Sequence, residues 1–236
     1  MLVWSGAAWA APGLDSKVYG TRIEAGVSEL ETRYARLNGK DENGTSALVV
    51  EVSHGFSDRF YGAVLTTFDH APDSPTQVGG IALEGIYRVG TLPLIGVDVA
   101  VYGEYAAAFH NEPHNLEFKL LLEKSFGRLN ARLNLVAERL VRSAAPVAFS
   151  YAASVDYAVI GDDIRVGVQA FGDLGDSYNF AGRQEQYIGP VAKFEIEHML
   201  LGGELEIETG YLFAAGRARD NARGQARLLL GWEFHF

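Results

Sequence analysis

The chain has no cysteine, which excludes both a disulfide framework and a thiolate metal site. Positive charge is in short supply. Twenty Lys and Arg stand against 30 Asp and Glu, a net charge of −10 over 236 residues, and such a surface repels the phosphates of a nucleic acid. Proline is scarce, at 7 residues. Beyond the first residues there is no run of about eighteen apolar positions, which excludes a transmembrane helix. That last absence leaves strands open, because a membrane barrel hides its hydrophobicity in alternation and gives a weak hydropathy signal.

What the chain does have is alternation and rings. It is 48% hydrophobic, with 27 Gly, 13 Phe and 11 Tyr. Residues 222–236 alternate without a break: Ala226, Leu228, Leu230, Trp232, Phe234 and Phe236 share one face of an extended chain. Gln225, Arg227, Leu229, Gly231, Glu233 and His235 share the other. A two-residue period places one face of a strand in an apolar medium and one in a polar medium. A soluble protein rarely ends in three rings, since a fraying terminus would expose them. The stretch resembles the closing strand of bacterial outer-membrane β-barrels, in which an aromatic terminus (here Trp232, Phe234 and Phe236) acts as the assembly signal. The resemblance implies an all-β, antiparallel up-and-down transmembrane barrel, a lipid surround and the barrel-assembly machinery as a partner.

The start reads as a targeting segment. Residues 2–11 are small and apolar, and Ala8-Trp9-Ala10 before Ala11-Pro12 resembles a cleavage site, although a basic leading region is missing. Residues 1–15 are therefore assigned to a leader and 16–236 to a single barrel domain.

Alternating segments recur about every eighteen residues, separated by turn-rich clusters. Strands are expected at 22–38, 46–56, 58–69, 78–89, 94–108, 114–125, 127–140, 147–159, 163–173, 187–197, 203–214 and 222–236. Twelve is an even number, as bacterial single-chain barrels require. The links alternate short and long, which matches short inner turns and longer outer loops, with both termini in the periplasm. A soluble lipocalin-like or sandwich fold would have to turn the Glu- and Arg-bearing faces outward. Outward positions carry the rings, among them Tyr34, Phe60, Tyr87, Tyr105, Phe118, Tyr157, Phe194 and Phe213, as an interfacial girdle demands.

The opposite faces line the lumen. The expected lining is Glu51, Glu84, Asp98, Glu104, Glu117, Lys119, Glu123, Arg128, Arg132, Glu138, Asp156, Arg165, Lys193, Glu195, Glu204, Glu206, Glu208, Arg227 and Glu233. Acids outnumber bases. Cross-strand pairing would turn these charges into a polar plug, whereas unpaired acids such as Glu204, Glu206 and Glu208 would make a cation-preferring path. Twelve strands lie between the filled barrel of eight and the open porin of sixteen, so both outcomes stay open.

Candidate chemistry is thin. His110 and His114 with Glu112 have a metal-like spacing, but Pro113 places them in a loop, where that spacing does not align two rings. Twelve-stranded barrels include outer-membrane proteases, which need acidic pairs and an Asp/His couple at the rim; Asp69, His70 and Asp73 are the nearest match, and no second acidic pair stands clearly opposite. A phospholipase-like His and Ser would sit two apart on one face, whereas Ser53 and His54 are adjacent. The 174–186 loop, with Tyr178, Phe180 and Arg183, could fold over the mouth or bind a ligand. The expectation is a monomeric, non-enzymatic barrel without cofactor that passes a small polar or cationic solute. The alternatives are an occluded barrel that acts through its loops and, behind it, a rim hydrolase.

Overall fold

A computed structural model of the chain describes residues 11–142, 144–161, 163–182, 184–197 and 203–235. Its twelve strands are β1 (Val27–Asn38), β2 (Ser46–Ser57), β3 (Phe60–His70), β4 (Gln77–Leu92), β5 (Val97–Ala108) and β6 (Asn115–Phe126). They continue with β7 (Leu129–Leu140), β8 (Ala148–Ile160), β9 (Ile164–Asp176), β10 (Glu185–Ile196), β11 (Glu204–Gly216) and β12 (Gly224–His235). Each strand pairs antiparallel with its neighbours in sequence. β1 closes on β12 from Val27↔His235 to Asn38↔Gly224, so the barrel has no free edge. Closure satisfies every strand's backbone polar groups within the protein, which a bilayer demands.

One end of the barrel carries the short turns 58–59, 93–96, 127–128 and 161–163. The other carries the longer links 39–45, 71–76, 109–114, 141–147, 177–184 and 217–223. Val27 and His235 both lie at the turn end. The two-residue period sorts the side chains. Leu30, Val52, Val64, Leu83, Tyr105 and Leu116 face one another across successive strands and point outward. Leu83, at 60% exposure, illustrates what would meet water in a soluble protein. A continuous belt of exposed aliphatic and aromatic groups fits a lipid surround and excludes the soluble rival.

The strands match the expected ranges to within three residues except at the start of β1, and four features stand out. β1 begins at Val27 rather than residue 22, because residues 22–26 belong to an inner segment that turns outward at Gly26 (φ +82), whose N–H donates to the Gly55 carbonyl at 2.8 Å. Gly55 permits that approach: a Cβ there would collide with the Glu24 carbonyl. β4 runs on to Leu92 through a bulge at Gly90 (φ +138), which shifts the register and keeps the pairing going. β9 extends to Asp176, where Gly175 bridges Phe180, so the long 174–186 loop shrinks to 177–184. A one-turn helix, α1 (Ala218–Asn221), occupies the 217–223 link.

Candidate functional site

The lumen is not empty. Residues 11–26 run down it from the loop end to the turn end, and Leu14, Val18, Tyr19 and Thr21 are buried there. Residues 11–15, grouped with the leader on sequence grounds, begin this inner segment; residues 1–10 lie outside the described chain. At the loop end, Gln225 donates to the Pro12 carbonyl at 2.9 Å, and Arg227 donates to the carbonyls of Gly13 and Ser16. Leu14 and Val18 pack among Phe171, Tyr187, Val191 and Leu212. At mid-height the Asn134 amide grips Tyr19 from both sides, accepting from its N–H at 2.7 Å and donating to its carbonyl at 3.0 Å.

Three alternate side chains of the segment land on wall carboxylates. The Lys17 ammonium meets Glu31 Oε2 at 2.8 Å and Glu51 Oε1 at 3.3 Å. The Tyr19 hydroxyl donates to Glu84 at 2.9 Å. Thr21 donates to Glu123 through its N–H at 2.8 Å and its hydroxyl at 3.0 Å. An extended chain offers every second residue to one wall, which is why positions 17, 19 and 21 act together.

The wall has its own order. Ladder pairing brings Glu204 beside Glu233, Glu233 beside Glu29, and Glu29 beside Ser53. The same row continues through Ala63 to Glu84, then Glu104, Glu117 and Glu138, and ends at Ala148 and Asp176. Because barrel strands tilt, a row perpendicular to them climbs around the axis. This row therefore starts at the turn end on β11, β12 and β1 and reaches the loop end on β7 to β9. Among the described residues, Glu29, Glu84, Glu104, Glu138, Glu204 and Glu233 take part in no ion pair; on the row, Glu117 does, with Lys119 at 2.8 Å. The Tyr102 hydroxyl bridges Glu84 and Glu104, at 2.8 and 2.5 Å.

The bases gather elsewhere. Arg33 lies 2.7 Å from both Glu31 and Glu51. Arg132 meets Glu123 at 3.1 Å, Lys193 meets Glu208 at 2.9 Å, and Arg165 pairs with Asp156. These pairs are the polar plug that cross-strand spacing allows, and they coexist with the unpaired acids. A cavity of about 620 Å³ opens at the loop end, and Asp15, Glu104, Glu117, Glu138, Asp173 and Glu185 are among its lining residues. At its rim, burial and the facing Glu185 raise the Glu42 carboxyl above its usual pKa, against a hydrogen bond from Asn221 that lowers it. A smaller recess of about 80 Å³ at the turn end lies among Arg132, Asp156, Arg165, Lys193, Glu195 and Glu206.

Most expected lining residues therefore face inward. Asp98 sits at the turn-end mouth, 3.4 Å from Arg88. Arg128 does not line the lumen: it occupies the 127–128 turn, exposed, donating to the Val159 carbonyl at 2.6 Å and covering the Tyr157 ring. The strand begins two residues later than expected, at Leu129, which leaves this side chain in the turn at the rim. Trp232 and Phe234 pack against each other on β12, 4.8 Å between ring centres, while Phe236 lies outside the described residues, as do Arg183, His198 and residues 199–202. His110 sits in a left-handed turn (φ +56) and the His114 ring meets the Tyr105 hydroxyl. Ser53 and His54 take opposite faces, with His54 2.8 Å from Ser28. Sequence reasoning missed Lys17, Tyr19 and Thr21; the alternation of donors in Lys-x-Tyr-x-Thr was the available signal.

No protein-family model matches the chain, and no curated protein matches it in sequence. Solved structures do match in fold. An outer-membrane channel of Pseudomonas putida F1, described as COG4313, aligns with a TM-score of 0.62 at 12% identity, covering 97% of this chain and all of that one. The KdgM porin in complex with disordered oligogalacturonate gives 0.58 at 12% identity, over 88% and 99%. The NanC porin gives 0.56 at 13% identity, over 88% and 100%. The fold is that of a small outer-membrane porin.

Proposed function

We propose that the chain is a porin-like outer-membrane channel that passes a small polar, cationic solute along its acidic lumen, with no catalytic step and no cofactor. The carrying observation is the row of carboxylates from Glu204 through Glu233, Glu29, Glu84, Glu104 and Glu117 to Glu138. Facing residues on adjacent strands stand about 5 Å apart, so within the stretch from Glu84 to Glu138 a cation held at one carboxylate is within reach of the next. Several weak sites in series are what conduction needs, since one tight site would trap the solute. Most lumenal bases leave the row uncancelled, because Arg33, Arg132, Arg165 and Lys193 are held by acids that do not belong to it. The shared porin fold supports passage as such. The charge supports a different solute class from the oligogalacturonate found in KdgM, since a chain of acid sugars has the wrong sign for this lumen.

In this reading the turn end faces the periplasm with both termini, the barrel works as a monomer, and Trp232, Phe234 and Phe236 present the closing strand to the assembly machinery. Cleavage after Ala10 would leave the whole inner segment in the mature protein. A second reading, an occluded barrel that works through its loops, is favoured by one observation, the filling of the lumen by residues 11–26. Vesicle flux separates the two. Reconstituted vesicles are expected to admit ethylammonium faster than propionate, an anion of similar size. Equal rates would remove the cationic route, and no flux of either would favour the occluded barrel.

A further inference from the structure

Resting on that reading, we propose that residues 11–26 are a displaceable gate, and that Lys17 holds it shut by occupying, as a tethered ammonium, the place where a transported primary ammonium binds. Three observations lead there. The first is the pocket around the Lys17 nitrogen. Glu31 and Glu51 lie at 2.8 and 3.3 Å, and the Tyr19 ring presents its face at 4.9 Å. The two wall carboxylates form the ammonium site, and the Tyr19 ring, which moves with the segment, caps it only while the gate is shut. Tyr61 donates its hydroxyl to Glu51 and fixes that wall.

The second is charge balance. Glu31 and Glu51 carry two negative charges, matched by Arg33 on β1 and Lys17 on the segment. Withdraw Lys17 and the wall keeps a net charge of minus one, enough for one monovalent cation. Glu51 is only 1% exposed, and a buried charge left unpaired is costly. The gate therefore leaves readily only when another cation takes its place.

The third is how the segment is attached. Among the described residues it joins no strand ladder. Apart from the Gly26 N–H on the Gly55 carbonyl at the turn end, contacts that involve a side chain hold it, and the polar ones can be exchanged one at a time for contacts with a solute or with water. Its Tyr19 anchor lies on Glu84, a member of the carboxylate row; Glu84 is 6% exposed, and its Oε1 has no hydrogen-bond partner among the described residues. A solute cation that displaces Lys17 thus meets a carboxylate from which the same movement has removed one of two tyrosine hydrogen bonds, Tyr102 keeping the other.

Single-channel recording of the refolded full chain in sodium chloride tests this. Methylammonium, with three N–H donors, is expected to raise the open fraction of the unaltered protein. Tetramethylammonium, which has none, is expected to leave it unchanged. Lys17→Met is expected to open the channel without added ligand by about tenfold or more, since one partner of a buried pair is gone, and Lys17→Arg to keep it closed. A cation-selective channel that responds equally to both ammonium ions, or a Lys17→Met channel as closed as the unaltered one, would overturn the gate while leaving passage standing. Inserted protein that never conducts, with either ammonium ion or with Lys17→Met, would defeat passage itself and the gate with it. Should Lys17→Met fail to fold, the two ammonium titrations on the unaltered chain decide alone.

Discussion

Gly13 shows how narrowly the inner segment is fitted. Its φ is +83, a region that costs an L side chain about 1–2 kcal/mol, and a Cβ there would run into the Phe171 ring. Gly13→Ala is therefore expected to loosen the loop-end half of the segment without harming the barrel wall. Limited proteolysis in vesicles should cut residues 11–26 several-fold faster in that variant, and an unchanged rate would mean that the segment is not held at this point. Asn134 makes the complementary case. It is fully buried and spends its amide on both backbone groups of Tyr19. Asn134→Leu would strand those two groups, at about 1–3 kcal/mol each if they stay buried, and should raise the open fraction as strongly as a lost Lys17 contact. An open fraction equal to that of the unaltered protein would argue that the segment is held by its apolar contacts alone.

At the scale of elements, the strands were largely legible because the period of two is written into each of them. Leu205, Ile207 and Phe213 against Glu204, Glu206 and Glu208 settle both the strand and its lipid face without any partner. The carboxylate row was half legible. That Glu84, Glu104, Glu117 and Glu138 point inward follows from alternation, but their standing side by side depends on register, which only closure fixes. The inner segment was illegible for a related reason. Tyr19 and Thr21 find partners 65, 102 and 115 residues away, at Glu84, Glu123 and Asn134, so the local alternation of donors in Lys-x-Tyr-x-Thr does not by itself say what they meet. Arg128 failed through a two-residue error at a turn, because the expected strand began at residue 127 and β7 begins at Leu129, which leaves Arg128 in the turn. Neutralising the row gives the test at this scale. Glu104→Gln with Glu138→Gln removes two unpaired charges, and each acts on a cation at a few ångströms with about 1–4 kcal/mol, depending on how wet the lumen is. The ratio of cation to anion permeability should fall several-fold while the barrel stays intact. A ratio that does not move would place the conducting path elsewhere.

For the molecule as a whole, the two faces of one sheet do different work. The outer face trades water for lipid, and the inner face keeps charges paired, or ranged along a row, inside a wall only one residue thick. Leu83 lies in the outward belt, and the neighbouring Glu84 is its inward counterpart. Leu83→Arg is expected to cost about 2–4 kcal/mol if that belt crosses the bilayer's middle, read as a lower midpoint of denaturant unfolding in lipid vesicles; a neutral result would contradict the lipid assignment of this face. Closure matters equally, since a β12 that does not meet β1 leaves twelve residue pairs unmade, from Val27↔His235 to Asn38↔Gly224. The central claim, that cations pass along the carboxylate row, is tested most directly by the reversal potential of the reconstituted full chain across a salt gradient in a planar bilayer. A potential of the sign set by cation flow, shifted toward zero by Glu84→Gln, Glu104→Gln and Glu138→Gln together, is the expected result. A potential of the opposite sign, or one indifferent to those three substitutions, would contradict it.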